Sequence, residues 1–343
     1  MTVSPVISII TPVWNGLPYI VECVASVLSQ EFQNWEMLIS DNGSTDGTRD
    51  YLDTLTDPRI RVFKQKENLG IFGNLNFLIR QAKAEVSQML CHDDYFIGPR
   101  ALNDLVAYWA SAPPELGVAR FNHEDVVQCS LTAFQRKSVP GTIGSSQTEL
   151  MFYVFGGSLT GNLSNISLRT NLVLKYGAFR EDLPFAGDFE FWSRMGRYVS
   201  IGIQNEPIVF VRIHPQSASY YQNRKGELVG QNAEVVSKLY QRLLRYHPKM
   251  QFALQLYGTI NYDSLQRYLA IKLWLLKGNR EYLRELDRVS DNAIFLLQRR
   301  WRWVLFFLTV GGRIGRVSTA RHLIHVYGET RQQVQEQQIL CNR

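Results

Sequence analysis

Two adjacent carboxylates, Asp93 and Asp94, stand in the stretch "MLCHDDYF" (Met89 to Phe96), after a hydrophobic run and before an aromatic pair. Neighbouring carboxylates repel unless water, hydrogen bonds or a cation share their charge. At a strand end, successive side chains point to opposite sides. One carboxylate can then face a ribose hydroxyl while the other faces a metal-bound diphosphate. Carboxylate oxygens suit hard cations such as Mg2+ and Mn2+, which bridge protein and phosphate. The same pair also reads as a solvated Asp-Asp turn that caps the next helix.

The elements that must position this pair alternate between two periodicities. "VISIITPVW" (Val6 to Trp14) is β-rich and ends at the turn pair Asn15-Gly16. Ile20, Val24, Val27 and Leu28 then recur at helical spacing. Trp35 to Ser40 is a second strand, followed by the polar turn "DNGSTDGT", where Ser44 or Asp46 caps a helix carrying Tyr51, Leu52 and Leu55. Ile60 to Lys64 is a third strand; Ile71, Leu75, Leu78 and Ile79 mark another helix; Val86 to Leu90 is the fourth strand and runs into the acidic turn. This alternation predicts an α/β fold with a mostly parallel, Rossmann-like sheet flanked by helices. Ligands then bind beyond the carboxyl ends of the strands, where the turns at Asp41 to Asp46 and His92 to Asp94 should both open. No GxGxxG follows the first strand and no GxxxxGK[ST] occurs, so neither usual glycine-rich phosphate loop is expected. Pro113 to Ser217 is less regular, with loops at Pro140 to Gln147 and Gly156 to Asn162, a strand in "LSNISL" and a short helix ending at Gly177. From Gln231 onward the pattern is helical.

"TPVWNG", "SDNGSTDGT", "NLGIFGNLN", "CHDDYF", "GDFEFWSRM" and "RIHPQSAS" form an ordered series from about Ile7 to Ser219. The series resembles the inverting family-2 glycosyltransferases of the GT-A fold. That resemblance implies roles position by position. Thr11 and Pro12 would line the pocket for the base of a nucleoside diphosphate sugar. Asp41 matches the nucleobase-binding aspartate, with Asn42 where many relatives carry a second Asp. Asn68, Gly70 and Asn76 match the stretch leading to the metal motif. Asp93 and Asp94 match that motif, with Cys91 where relatives frequently carry a further acid. Asp188 matches the catalytic base, with Gly187 where many members have Glu; its alternative is a helix N-cap. Glu190 would point away from Asp188 on a helix. His214 matches a histidine near the donor diphosphate that ligates metal, its alternative being a packed loop histidine, and Arg212 is placed to pair with phosphate.

The resemblance implies a metal-dependent, inverting transfer from a nucleoside diphosphate sugar to an acceptor hydroxyl. The acceptor would be a glycan or lipid-linked glycan of a surface polysaccharide, and the cofactor Mn2+ or Mg2+. Asp188 would take the hydroxyl proton. Two rivals remain: a carboxylate-based glycoside hydrolase, and a non-catalytic nucleotide-sugar-binding protein of the same fold.

Charge divides the chain. Gln231 to Arg343 holds 18 Lys and Arg against 8 Asp and Glu, a balance of +10, which leaves −4 for the rest of a chain whose net charge is +6. We expect a GT-A catalytic domain over 1–220 and a helical, basic region over 221–343. In that region "LLQRRWRWVLFFLTVGGRIGRV" (Leu296 to Val317) mixes arginine with Trp, Phe and Leu. Its apolar run is far short of the ~20 residues of a spanning helix. It reads either as a helix lying on anionic lipid or as one packed on the rest of the protein or another subunit; the oligomeric state is not legible. Nucleic acid is not an expected partner, because no recognition motif accompanies the charge. Cys23, Cys91, Cys129 and Cys341 lie far apart, with no CxxC. That argues against zinc and a disulfide framework and fits a reducing compartment. With no basic stretch ahead of the first apolar run, the N-terminus reads as a strand rather than a signal peptide. The expected location is the cytoplasm, including the cytoplasmic face of a membrane.

Overall fold

A computed structural model describes residues 4–125, 133–214 and 226–341. The expected boundary at 220/221 and the Pro215 to Ser219 end of the last motif lie outside those residues. The chain forms two compact units, Met1–Thr148 with Gly157–His214, and Glu149–Gly156 with Pro215–Arg343.

The first unit is built on β1 (Ile7–Val13), β2 (Trp35–Asp41), β3 (Ile60–Lys64), β4 (Val86–Met89), β5 (Tyr95–Phe96), β6 (Leu116–Asp125), β7 (Thr142–Ile143), β8 (Ile166–Arg169) and β9 (Ser200–Val211). Its helices are α1 (Tyr19–Leu28), α2 (Thr48–Asp53), α3 (Gly70–Gln81), α4 (Ala101–Ala110), α5 (Ala133–Ser138), α6 (Ser145–Phe155, which continues beyond Thr148 in the second unit), α7 (Asn171–Tyr176) and α8 (Gly187–Met195). Every residue of β1 and β2 is buried, as expected of parallel strands covered on both faces. α1 buries Ile20, Cys23, Val24 and Val27, one stripe at helical spacing.

The strands pair in the order β3-β2-β1-β4-β8-β6-β9-β5, with β7 on β9. From β3 to β4 all neighbours are parallel. The register sets Thr11 beside Ile39, Pro12 beside Ser40 and Val13 beside Asp41, so the carboxyl ends of β1 and β2 form one edge. Beyond β4 the sheet is mixed: β8 runs antiparallel to both β4 and β6, whereas β6 and β9 are parallel. The cause is local. A short turn, Leu163–Asn165, begins β8 at the carboxyl end of β4, so the strand must run back along it. Gln88 Nε2 donates to the Ser164 carbonyl at 2.8 Å and fixes that start.

The second unit is helical over Glu227–Tyr246, Gln251–Gly258, Leu265–Lys277, Glu281–Asn292, Arg299–Leu308 and Arg316–Cys341, with a π-helical turn at Thr259–Ser264. Tyr153 donates to the Leu254 carbonyl at 2.8 Å within its core. Among the described residues no helix is long and apolar enough to cross a membrane.

Candidate functional site

The acidic turn is held on both sides. Asp94 is buried. One of its oxygens accepts the Arg212 backbone N–H at 2.9 Å and the other accepts the Ser164 hydroxyl at 2.5 Å. The Cys91 N–H donates to that same hydroxyl at 2.9 Å. Burial and then the Asp93 charge push the Asp94 carboxyl up to about 7. Asp93 is the more accessible of the pair, and its Oδ2 lies 3.0 Å from His214 Nε2. The Cys91 sulfur and the Asp93 and Asp94 carboxylates each bring a ligand atom within 4.8 Å of the others. Carboxylate oxygens and an imidazole nitrogen are donors that fit Mn2+ or Mg2+. A dication would offset the repulsion between these two adjacent acids. The Cys91 sulfur is the softer member of the set.

His214 and Arg212 are fixed by aromatic rings. The His214 ring lies 4.6 Å from Tyr19. The Arg212 guanidinium sits 5.1 Å from the Tyr19 centroid and 4.8 Å from that of Tyr95. It pairs with Glu22 and donates to the Asp93 carbonyl. Arg212, expected to meet phosphate, thus braces the acidic turn here. Beneath the turn, Cys23 Sγ lies 3.7 Å from the Cys91 carbonyl. Burial raises the thiol pKa of both Cys23 and Cys91, and the two aspartates raise them further. Gly16 makes room for His92: a Cβ there would come within 2.7 Å of the imidazole.

The edge formed by β1 and β2 carries the expected nucleotide residues. Thr11, Pro12 and Asp41 are buried. Asp41 accepts the Ser44 N–H at 3.1 Å and the Arg49 Nε–H at 2.6 Å. Asn42 donates to Asn68 Oδ1 at 2.8 Å and accepts the Leu69 N–H at 2.8 Å. Asn68 Oδ1 also accepts the Gly70 N–H at 2.8 Å, and Gly70 takes φ +70°, open to glycine. Asn42 and Asn68 therefore shape the start of α3. Asp46 accepts the Thr48 N–H at 3.1 Å, but the cap residue of α2 is Gly47, so neither Ser44 nor Asp46 is the expected cap.

Asn76 acts elsewhere. Its Oδ1 accepts the Phe179 N–H at 2.9 Å, and its Nδ2 donates to the Phe179 carbonyl at 2.9 Å and to Glu181 at 3.0 Å. Phe179 stacks 3.8 Å from Phe191 of α8 and 5.3 Å from Phe72 of α3. Asn76 thus anchors α3 to the segment that orients α8. Asp188 lies in the first turn of α8, past the cap residue Ala186, and its Oδ1 accepts the Phe189 N–H at 2.7 Å. Burial raises its pKa above the ordinary 3.8. Glu190 is occupied by Arg194, at 3.0 Å. Gly187 admits no side chain: a Cβ would stand 2.6 Å from the Phe72 ring.

Ser164, Glu22 and Arg120 escaped the sequence reading. Ser164 and Glu22 lie 70 or more positions from the residues they hold, and a single serine or glutamate carries no spacing signal. Arg120, in β6, is fully buried, and its Nε and Nη1 have no hydrogen-bond partner among the described residues. Burial and then the Arg136 charge lower its pKa to about 10.

A parallel half-sheet whose carboxyl edge ends in a braced acidic turn is an arrangement of the GT-A fold. Comparison with known proteins agrees. Residues 8–158 match the family described as "Glycosyl transferase family 2". An uncharacterized glycosyltransferase of Haemophilus influenzae is 25% identical over 65% of this chain and 70% of its own length. An uncharacterized glycosyltransferase of Rickettsia typhi is 27% identical over 62% of this chain and 65% of its own. A putative teichuronic acid biosynthesis glycosyltransferase, TuaG of Bacillus subtilis, is 41% identical over 26% of this chain and 37% of its own. In fold, the chain is similar to S. aureus TarS residues 1–349 in complex with UDP-GlcNAc (TM-score 0.59, 16% identity, 94% of this chain and 91% of that one). Another structure of S. aureus TarS gives TM-score 0.61 at 16% identity, over 92% of this chain and 55% of that one. Over residues 8–158 the chain is similar to glycosyltransferase family 2. It is a glycosyltransferase, which displaces the hydrolase reading.

Proposed function

We propose that this glycosyltransferase moves a sugar from a nucleoside diphosphate sugar to an acceptor hydroxyl with inversion, and that it requires Mn2+ or Mg2+. The observation that carries this reading is the approach of Asp93 and His214 beside the buried Asp94. Asp93 and His214, backed by Asp94, would hold the cation. When bound, it neutralises charge on the departing diphosphate. Thr11, Pro12 and Asp41 would form the base pocket, with Asn68 and Gly70 shaping its wall and Asn76 acting through α8. Asp188, its carboxyl raised by burial, accepts the proton of the attacking hydroxyl. Arg212 holds the acidic turn in place and becomes available to phosphate if the Glu22 pair opens.

The acceptor is a glycan or lipid-linked glycan of a surface polysaccharide, a reading supported by the name of the Bacillus relative. It places the enzyme in the cytoplasm, at the membrane face where such acceptors are displayed. The catalytic part is assigned to 1–220 and the basic helical part to 221–343. Titration calorimetry with UDP-, dTDP- and GDP-sugars, with Mn2+ and with EDTA, tests the donor reading. Binding of none of them in the presence of Mn2+ would overturn it. NMR of the product's anomeric proton tests inversion.

A further inference from the structure

In the Arg299–Leu308 helix, "RRWRWVLFFL", Arg302 faces inward while an apolar side faces outward. Arg302 is only 3% exposed. It donates to the Ser290 carbonyl, pairs with Asp291 and lies 3.9 Å from Asp263. Its neighbour Trp303 takes the Arg267 guanidinium 4.7 Å from its centroid, and Arg267 in turn pairs with Asp263 at 2.9 Å and Asp287 at 2.7 Å. This buried ionic cluster fixes the rotation of the helix. The opposite face then presents Trp301, Val304, Phe307 and Leu308, the last two about 70% exposed. Gly311, Gly312 and Gly315, all at positive φ, carry the chain onward with Val310, Ile314 and Val317 also exposed.

Helices of soluble proteins bury their apolar stripe, and a clustered exposed one marks an interaction surface. The charge around it selects the partner. Between Asp291 and Glu329 the sequence has six arginines and no acidic residue. Arg299, Arg300 and Arg313 are exposed. The helix has ten residues, about half of what spanning requires, so it can lie along a bilayer but not cross it.

We propose that this face docks on an anionic lipid surface, with Trp301, Val304, Phe307 and Leu308 in the interface and the arginines on headgroup phosphates. Arg302 acts as a positioning residue that keeps the apolar side outward. The inference goes beyond the transfer reaction and needs no donor to be bound.

Flotation of the full chain with phosphatidylcholine–phosphatidylglycerol vesicles, and with phosphatidylcholine alone, tests it. The intact chain should float with the anionic vesicles and be released by salt. Phe307→Ser with Leu308→Ser, at positions already exposed, should leave Tm unchanged and weaken partition by about tenfold or more. Arg300→Glu with Arg313→Glu should weaken it roughly fivefold or more at each position. Absence of flotation with anionic vesicles at low salt overturns the proposal, as does flotation that survives the serine pair. Self-association in lipid-free sedimentation that the serine pair abolishes would assign the face to a second copy instead.

Discussion

Asp93 Oδ2 and His214 Nε2 lie 3.0 Å apart although 121 positions separate them in the chain. The backbone between His214 and the turn is fixed by Arg212, whose N–H donates to Asp94. A carboxylate and an imidazole held this way can share a cation without rearrangement. We expect His214→Ala and Asp93→Ala each to lower Mn2+ affinity about 10- to 100-fold in the presence of a nucleoside diphosphate, the range found even for groups one step removed from a metal. Manganese EPR reads this directly. Unchanged affinity in both variants would remove these residues as ligands.

Asp188 gives a pH prediction whose sign follows from burial. Its folded pKa is raised above 3.8. The proton it then holds stabilises the folded state below 3.8, and that stabilisation is lost as pH rises through the raised value. Catalysis needs the opposite form, because only the carboxylate accepts a proton. The acid limb of kcat/KM should therefore have its midpoint above 3.8. Asp188→Asn should lower kcat by about 10²- to 10⁴-fold while keeping or raising Tm at pH 8, since the buried charge is gone. An active Asn variant would transfer the base role to another group.

The strands of the parallel half were legible because each is a short run with apolar residues, buried in β1, β2 and β4, set between turn or helix signals. Ile60–Lys64 agrees with its expected bounds, β2 and β4 differ by one residue at one end, and β1 differs by one residue at each end. β6 and β9 were not legible. β6 carries Arg120 at its centre and β9 holds Gln204, Asn205, Glu206 and Pro207, so neither shows a clean alternation. The acidic pair stood out in the sequence, but which member is accessible did not. Ser164 and Arg212 decide that through contacts 70 and 118 positions distant. Asn76 likewise appeared in a motif, yet its partner at Phe179 exists only once α3 and α8 are packed.

Asn76 is consequently expected to act on turnover rather than on donor binding. Asn76→Ala leaves the buried Phe179 N–H and carbonyl without their partner, at a cost of about 1–3 kcal/mol in stability. The donor's Kd by calorimetry should stay within about twofold, while kcat falls as α8 and Asp188 lose their alignment. A rise in Kd with kcat unchanged would instead place Asn76 in the donor pocket.

Gly187 tests whether the packing around α8 tolerates an acid there. A Cβ at this position would stand 2.6 Å from the Phe72 ring and 3.0 Å from the Arg180 carbonyl. The ring belongs to the stack with Phe179, so it cannot withdraw without disturbing the Asn76 clamp. The backbone carbonyl cannot withdraw without moving the Phe179 segment. Gly187→Ala should therefore cost about 1–3 kcal/mol, the usual penalty for overpacking, and Gly187→Glu at least as much. Both should reduce kcat, because the strain falls one residue before Asp188. Pairing Gly187→Ala with Phe72→Leu relieves the clash at the ring but not at the carbonyl, so it should recover part of the stability in urea unfolding. Full stability and activity in Gly187→Glu alone would show that α8 is free to shift, and that the stack of Phe72, Phe179 and Phe191 does not fix Asp188.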